Sequence, residues 1–188
     1  MPTVIKLFPG INNQISLIKY LESNNIDLTR ECFHSTLWYS ISLLFQRKNI
    51  KEYVESKVPF TVMPPYEFDI FNRSLVLKYK SKIRDKLREN LESEMLRQTI
   101  KEFPNEMTDS ELDMIRQSLL IVPENVASHD GSCKGIVLPS RKIVRLYFST
   151  KPHITLVSNF DTSKIERLSE FDCPIRFDAF SWKLKYKK

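Results

Sequence analysis

Cysteine is scarce in this chain. The 188 residues hold three, Cys32, Cys133 and Cys173, an odd number without a close pair. That excludes a secreted disulfide framework and a thiolate zinc site as organising principles. Cys32, two residues before a histidine, reads as a buried structural thiol sharing a strand face with it, because no neighbour supplies the context that activates a nucleophilic thiol. No apolar run approaches the length that crosses a bilayer, and no basic segment followed by an apolar stretch opens the chain. A cytoplasmic protein without a membrane partner is the expectation. Linkers and low-complexity tracts are also missing, and only residues 126–135 read as a mobile loop. With 41% apolar residues, positions 1–188 suit a single domain, or two small lobes sharing a core.

Histidine is as rare as cysteine, yet its placement is ordered. Two of the three histidines stand in the same pattern, His34-Ser35-Thr36-Leu37 and His153-Ile154-Thr155-Leu156. With nine threonines in the chain, chance places a threonine at that offset from two of three histidines in under about 1% of cases. Side chains at i and i+2 of a β-strand share a face, so each histidine would project beside its threonine. The surrounding β-branched, aromatic and aliphatic residues favour strands at both places. An imidazole beside a hydroxyl is a proton carrier next to a neutral hydrogen-bond donor. Two such pairs facing each other would suit a phosphodiester: one histidine takes a proton, the other gives one, and the hydroxyls hold non-bridging oxygens. No metal or other cofactor is required. Nor does an Asp, Glu or Cys stand at a ligand-like offset beside either motif.

The order motif strand, helix, strand occurs twice. After His34 come a helix-compatible stretch from Ile41 to Glu55, the segments 60–62 and 68–71, and a strand-like run over 74–79. After His153 come a capped helix start at Asp161 and an alternating strand over 174–182. The chain opens with a strand over Thr3 to Phe8 and a helix with Ile11, Ile15, Leu17, Ile18 and Leu21 at helical spacing. Ser81 to Glu102 reads as the best helix, with Ile83, Leu87, Leu91, Met95 and Leu96 as its apolar stripe and Arg84, Lys86 and Arg88 on a solvated face. A second helix opens at Thr108 and runs to about Leu120, giving a helical segment over about 80–120. Strict alternation puts Trp38 on the face of His34 and Thr36, where it is a candidate to stack on a nucleobase; core packing is the competing role. His129 lacks the threonine and reads as a loop residue.

With both motifs in view, the chain resembles the 2H phosphoesterase superfamily, whose members carry two His-x-Thr/Ser motifs. The resemblance spans nearly the whole chain. Phe33-His34-Ser35-Thr36-Leu37-Trp38-Tyr39-Ser40 is similar to the first motif of small phage counter-defence proteins that destroy cyclic oligonucleotide alarm signals. It implies an α+β fold of two small antiparallel sheets with flanking helices, arranged as two pseudo-symmetric lobes around a central cleft. It further implies metal-independent cleavage of a cyclic oligonucleotide or 2′-5′ oligoadenylate, with His34, His153, Thr36 and Thr155 catalytic and host cytoplasm as the setting. RNA-end processing at a 2′,3′-cyclic phosphate and a non-catalytic RNA-binding module are the alternatives. The net charge of +6 suits a nucleotide or oligonucleotide partner.

Overall fold

The computed structural model describes residues 3–30, 32–40, 47–91, 120–121, 134–137, 143–144, 146–148 and 151–184, with side chains described over 5–30, 32–37, 51–91 and 151–181. In chain order the elements are β1 (Thr3–Pro9), α1 (Ile11–Ser23), β2 (Ser35–Ser40), α2 (Arg47–Glu55), β3 (Phe60–Val62), β4 (Glu67–Phe71), β5 (Ser74–Lys78), β6 (Leu120–Ile121), β7 (Lys134–Val137), β8 (Ile143–Val144), β9 (Leu146–Phe148), β10 (His153–Val157) and β11 (Ile175–Leu184). A helix over 82–91 follows β5, and a 3-10 helix over Thr162–Arg167 precedes β11.

The architecture is α+β. A five-stranded antiparallel sheet has the order β3-β11-β1-β2-β9, and a three-stranded one the order β10-β5-β4. A further small sheet, β6-β7-β8, adds to the two expected from the sequence. The first motif therefore belongs to the large sheet and the second to the edge of the three-stranded one. Strand β10 nevertheless lies against β2.

Alternation explains which faces are buried. Ile5 and Leu7 of β1 and Ile175 and Phe177 of β11 are fully covered, while Lys6 and Phe8 between them are half-buried on the opposite face. From the smaller sheet Leu75, Leu77, Ile154 and Leu156 enter the same core, joined by Leu17 and Leu21 of α1 and Leu87 and Leu91 of the 82–91 helix. At roughly 1.5–3 kcal/mol for each fully buried aliphatic or aromatic side chain, this shared core is what fixes the two sheets together.

Several boundaries differ from the sequence expectation. In α1 the buried residues are Gln14, Leu17, Tyr20 and Leu21, whereas Ile11 and Ile15 are exposed. The 82–91 helix turns Leu87 and Leu91 inward as expected, but Arg84 takes the covered place expected of Ile83, which is exposed, so the covered stripe contains a charge. Leu120 and Ile121 are strand, so no helix runs through them. Residues 134 and 135, at the end of the expected loop, open β7. Asp161 caps a helix as expected, accepting from the Ser163 amide at 3.1 Å, but the helix is a short 3-10 turn. The helix expected from 108 onward and the loop over 126–133 lie outside the described residues.

Candidate two-histidine site

The first motif is anchored from behind by Gln14. Its Nε2 donates to the carbonyls of Phe33 (2.8 Å) and Pro9 (3.2 Å), and its Oε1 accepts from the Phe33 amide (2.8 Å). A side-chain amide thus serves Phe33 as a strand partner would. Beyond it, Ser35 and Leu37 are fully buried while His34 and Thr36 are half-exposed on the other face. Thr36 is opposite Lys6 of β1, which is itself opposite Ser181 of β11. The Phe8 ring is tilted against His34, centroids 6.0 Å apart. The face presented by this half is therefore an imidazole, a hydroxyl, a lysine and an aromatic ring.

Alternation is not kept past Thr36. The pairs Lys6–Thr36 and Ile5–Trp38 leave Leu37 as an extra residue in a β-bulge. Trp38 is consequently in register with the core-facing position Ile5, so the alternation that grouped it with His34 and Thr36 does not hold; its side chain lies outside the described residues.

The second motif repeats the arrangement in a different sheet. Ile154 and Leu156 are fully buried, and His153 and Thr155 are half-exposed. The pairs Thr155–Val76 and Val157–Leu75 leave Leu156 as the extra residue. Both copies of His-x-Thr-Leu are thus bulged at the same leucine. The His153 Nδ1 lies 2.8 Å from the Lys151 carbonyl, which can only accept. The neutral ring therefore carries its proton on Nδ1 and its basic lone pair on Nε2. The Phe71 ring meets His153 edge-on at 4.8 Å, and the Lys151 ammonium stands 6.0 Å from the Phe71 centroid.

Charge is concentrated on the same face as His153 and Thr155. Cross-strand register sets His153 beside Lys78 and Glu67, and Thr155 beside Val76 and Asp69. Lys78 bridges Glu67 at 3.1 Å and Asp69 at 3.0 Å. Burial pushes the Asp69 carboxyl upward, but the bonds from Lys78 and the Ile70 amide and the charges of Lys78 and Lys151 outweigh it and hold the carboxyl below its ordinary value. The bonds to Asp69 and Glu67 raise the Lys78 ammonium against its own burial. Among the described residues no group of three or more His, Cys, Asp or Glu is disposed to hold a metal ion.

Tyr79 joins the two motifs. Its amide donates to the carbonyl of Pro152, the residue before His153, at 3.1 Å. Its hydroxyl lies 2.8 Å from the Ser35 hydroxyl, between His34 and Thr36. Behind it, Arg84 donates from Nη2 to the Thr36 carbonyl at 3.4 Å. No protein-family model matches the chain, and no curated protein sequence matches it.

Arg84 corrects an expectation. Assigned from sequence to a solvated face, it is fully buried, and is among the largest of the wholly covered side chains. The signal was present in its spacing, since 84, 87 and 91 fall on one side of a helix. Tyr79, at the end of a run read as a strand, and Phe71, at the end of a segment without an assignment, carried no such signal. Cys32, expected to be buried, is exposed, as is Cys173. Cys133 and His129 lie outside the described residues. No helix among the described residues is long and apolar enough to cross a membrane.

Proposed function

We propose that this chain is a two-histidine phosphodiesterase that cleaves a nucleotide signal, a cyclic oligonucleotide or 2′-5′ oligoadenylate, in the service of viral immune evasion. The observation that carries the reading is the local identity of the two motifs. In each, His and Thr are half-exposed, the residue between them is buried, and the leucine is an inward bulge, although the two strands belong to different sheets. Independent strands have no reason to share a bulge at the same motif position. A common task for the projecting His and Thr supplies one. On this reading the large and small sheets are the two lobes, and β10 lies against β2 where they meet.

Chemistry follows from the groups assembled. One histidine accepts a proton from the attacking hydroxyl or water while the other, protonated, donates to the leaving oxygen. For His153 the exchanging atom is Nε2, because the Lys151 carbonyl holds Nδ1 protonated. Thr36 and Thr155 donate to the non-bridging oxygens, where charge grows in the transition state. Lys6 beside Thr36 and Lys151 beside His153 add positive potential for the phosphate. Phe8 and Phe71, one ring next to each histidine, offer apolar surface to the nucleosides.

The test is a panel of cyclic oligonucleotides, 2′-5′ oligoadenylate and a 2′,3′-cyclic-phosphate RNA, incubated with the wild-type chain in EDTA. Cleavage of one of the first two classes, abolished by His34→Ala and by His153→Ala, is expected. Cleavage confined to the 2′,3′-cyclic phosphate would move the assignment to RNA-end processing. Binding without turnover of any member would refute the enzymatic reading.

A further inference from the structure

We propose that Tyr79 and Arg84 are a buried positioning pair that fixes the two histidine motifs relative to each other and sets a permanent positive charge beneath the first. The inference rests on the two-histidine reading and identifies which residues outside the motifs make the site one unit.

The geometry is economical. Tyr79 follows β5, the strand paired with β10, and its amide extends that ladder by bonding the Pro152 carbonyl just ahead of His153. From the same residue the side chain runs through the core, past the Phe177 ring at 5.4 Å, to the Ser35 hydroxyl. One residue therefore ties the start of the second motif to the middle of the first. Its hydroxyl bonds two polar side chains in surroundings that exclude water: Tyr79 is 3% exposed, and Ser35 and Arg84 are 0%. A hydrogen bond in such surroundings is geometrically demanding, because either partner left alone keeps its full desolvation cost.

Arg84 adds charge to the alignment. Ser81 caps its amide at 3.1 Å, and the guanidinium reaches both the Thr36 carbonyl and the Tyr79 hydroxyl. Burial pushes the guanidinium pKa down while the Tyr79 hydroxyl and Asp85 oppose that push, and an arginine so placed stays protonated. Its charge is on the inner side of the strand whose outer side carries His34 and Thr36. An anion on the outer side is attracted through a low-dielectric layer, where a fixed charge acts more strongly than in water.

The consequences separate positioning from packing. Tyr79→Phe keeps the ring and removes only the hydroxyl, so the chain folds; kcat on the cleaved substrate is expected to fall about 10- to 100-fold, with KM within about threefold. Arg84→Met replaces the buried guanidinium by an apolar side chain that such sites accommodate. It is expected to raise KM about tenfold, while Arg84→Lys, which retains the charge, holds KM within about threefold and lowers kcat. An activity-independent measurement accompanies these. The shift in the His153 titration midpoint caused by His34→Gln, read from imidazole NMR signals, measures the coupling of the two rings, and Tyr79→Phe should abolish most of it. Wild-type kcat and unchanged coupling in a folded Tyr79→Phe variant would overturn the proposal. If the wild-type chain cleaves nothing, the function fails by itself, and the coupling cycle alone decides the positioning role: coupling lost supports it, coupling absent or unchanged sinks it.

Discussion

Gln14 offers the sharpest test of how the first motif is held. Its amide makes three hydrogen bonds, two to Phe33 and one to Pro9, in a side chain only 8% exposed. Gln14→Leu fills the space but leaves an amide and two carbonyls without these partners. Each buried group so abandoned costs about 1–3 kcal/mol, and partial relaxation puts the total near 3 kcal/mol. For a chain of this length that is a fall in Tm of about 6–12 °C. Gln14→Glu is more discriminating. The new carboxylate can accept from Phe33 N–H, but its second oxygen then faces two carbonyls unless it is protonated. Its folded pKa must therefore rise above the unfolded value of about 4.3. Stability relative to wild type is largest below that unfolded value and is lost as pH rises through the folded pKa. Urea titrations at pH 4.5 and pH 8 measure the effect. A Gln14→Glu variant matching wild type at both pH values would refute the assigned bonding.

Other perturbations probe separate parts of the structure. Thr36→Val and Thr155→Val keep shape and remove a donor to the phosphate; each should lower kcat about 100-fold, with circular dichroism unchanged. Asp69→Asn removes a half-exposed ion pair and should cost about 0.5–1 kcal/mol. Because the Asp69 carboxyl is held below its ordinary value, its contribution is present above about pH 4 and lost as pH falls through the depressed pKa. The variant's denaturation midpoint should accordingly converge on wild type in acid. Leu87→Ala, at a 1% exposed position in the shared core, should cost about 2–5 kcal/mol in chemical denaturation.

Short-range patterns were legible in the sequence, and long-range choices were not. Alternation marked β11, where Ile175 and Phe177 are buried and Arg176 and Asp178 are exposed, while runs of β-branched and aliphatic residues marked β1, β5 and β10. The His-Thr pairs were legible because i and i+2 share a face wherever a strand forms. Which apolar residues of α1 were covered was not legible. Ile11 and Ile15 are as apolar as Leu17 and Leu21, and only the position of the sheet selects the covered side. For Arg84 the 84, 87 and 91 spacing marks the covered side, but composition alone does not show that a tyrosine and a carbonyl from far along the chain hold its guanidinium there. Trp38 was grouped with Thr36 because alternation has no local signal for a bulge. The repeated leucine was the visible trace of both bulges, and it carried no structural meaning until the registers were known.

That leucine separates what the motif does for the core from what it does for the site. Leu156 is the extra residue of β10, so it and Val157 both point inward, and the strand gains a local bend and twist next to His153 and Thr155. Leu156→Ala keeps the bulge and empties part of the core, at about 2–5 kcal/mol. Deleting Leu156 empties the same space, yet leaves Thr155 outward and Val157 inward in plain alternation, so the sheet can still pair. The two variants should thus lose similar stability by urea denaturation. They should part in activity: at a temperature where both are folded, Leu156→Ala retains turnover within about tenfold, whereas the deletion, which re-aims the histidine and threonine by straightening their strand, loses about 100-fold or more. Equal activities in the two would mean that the bulge serves the core alone, and the matching geometry of the two motifs would lose its functional meaning.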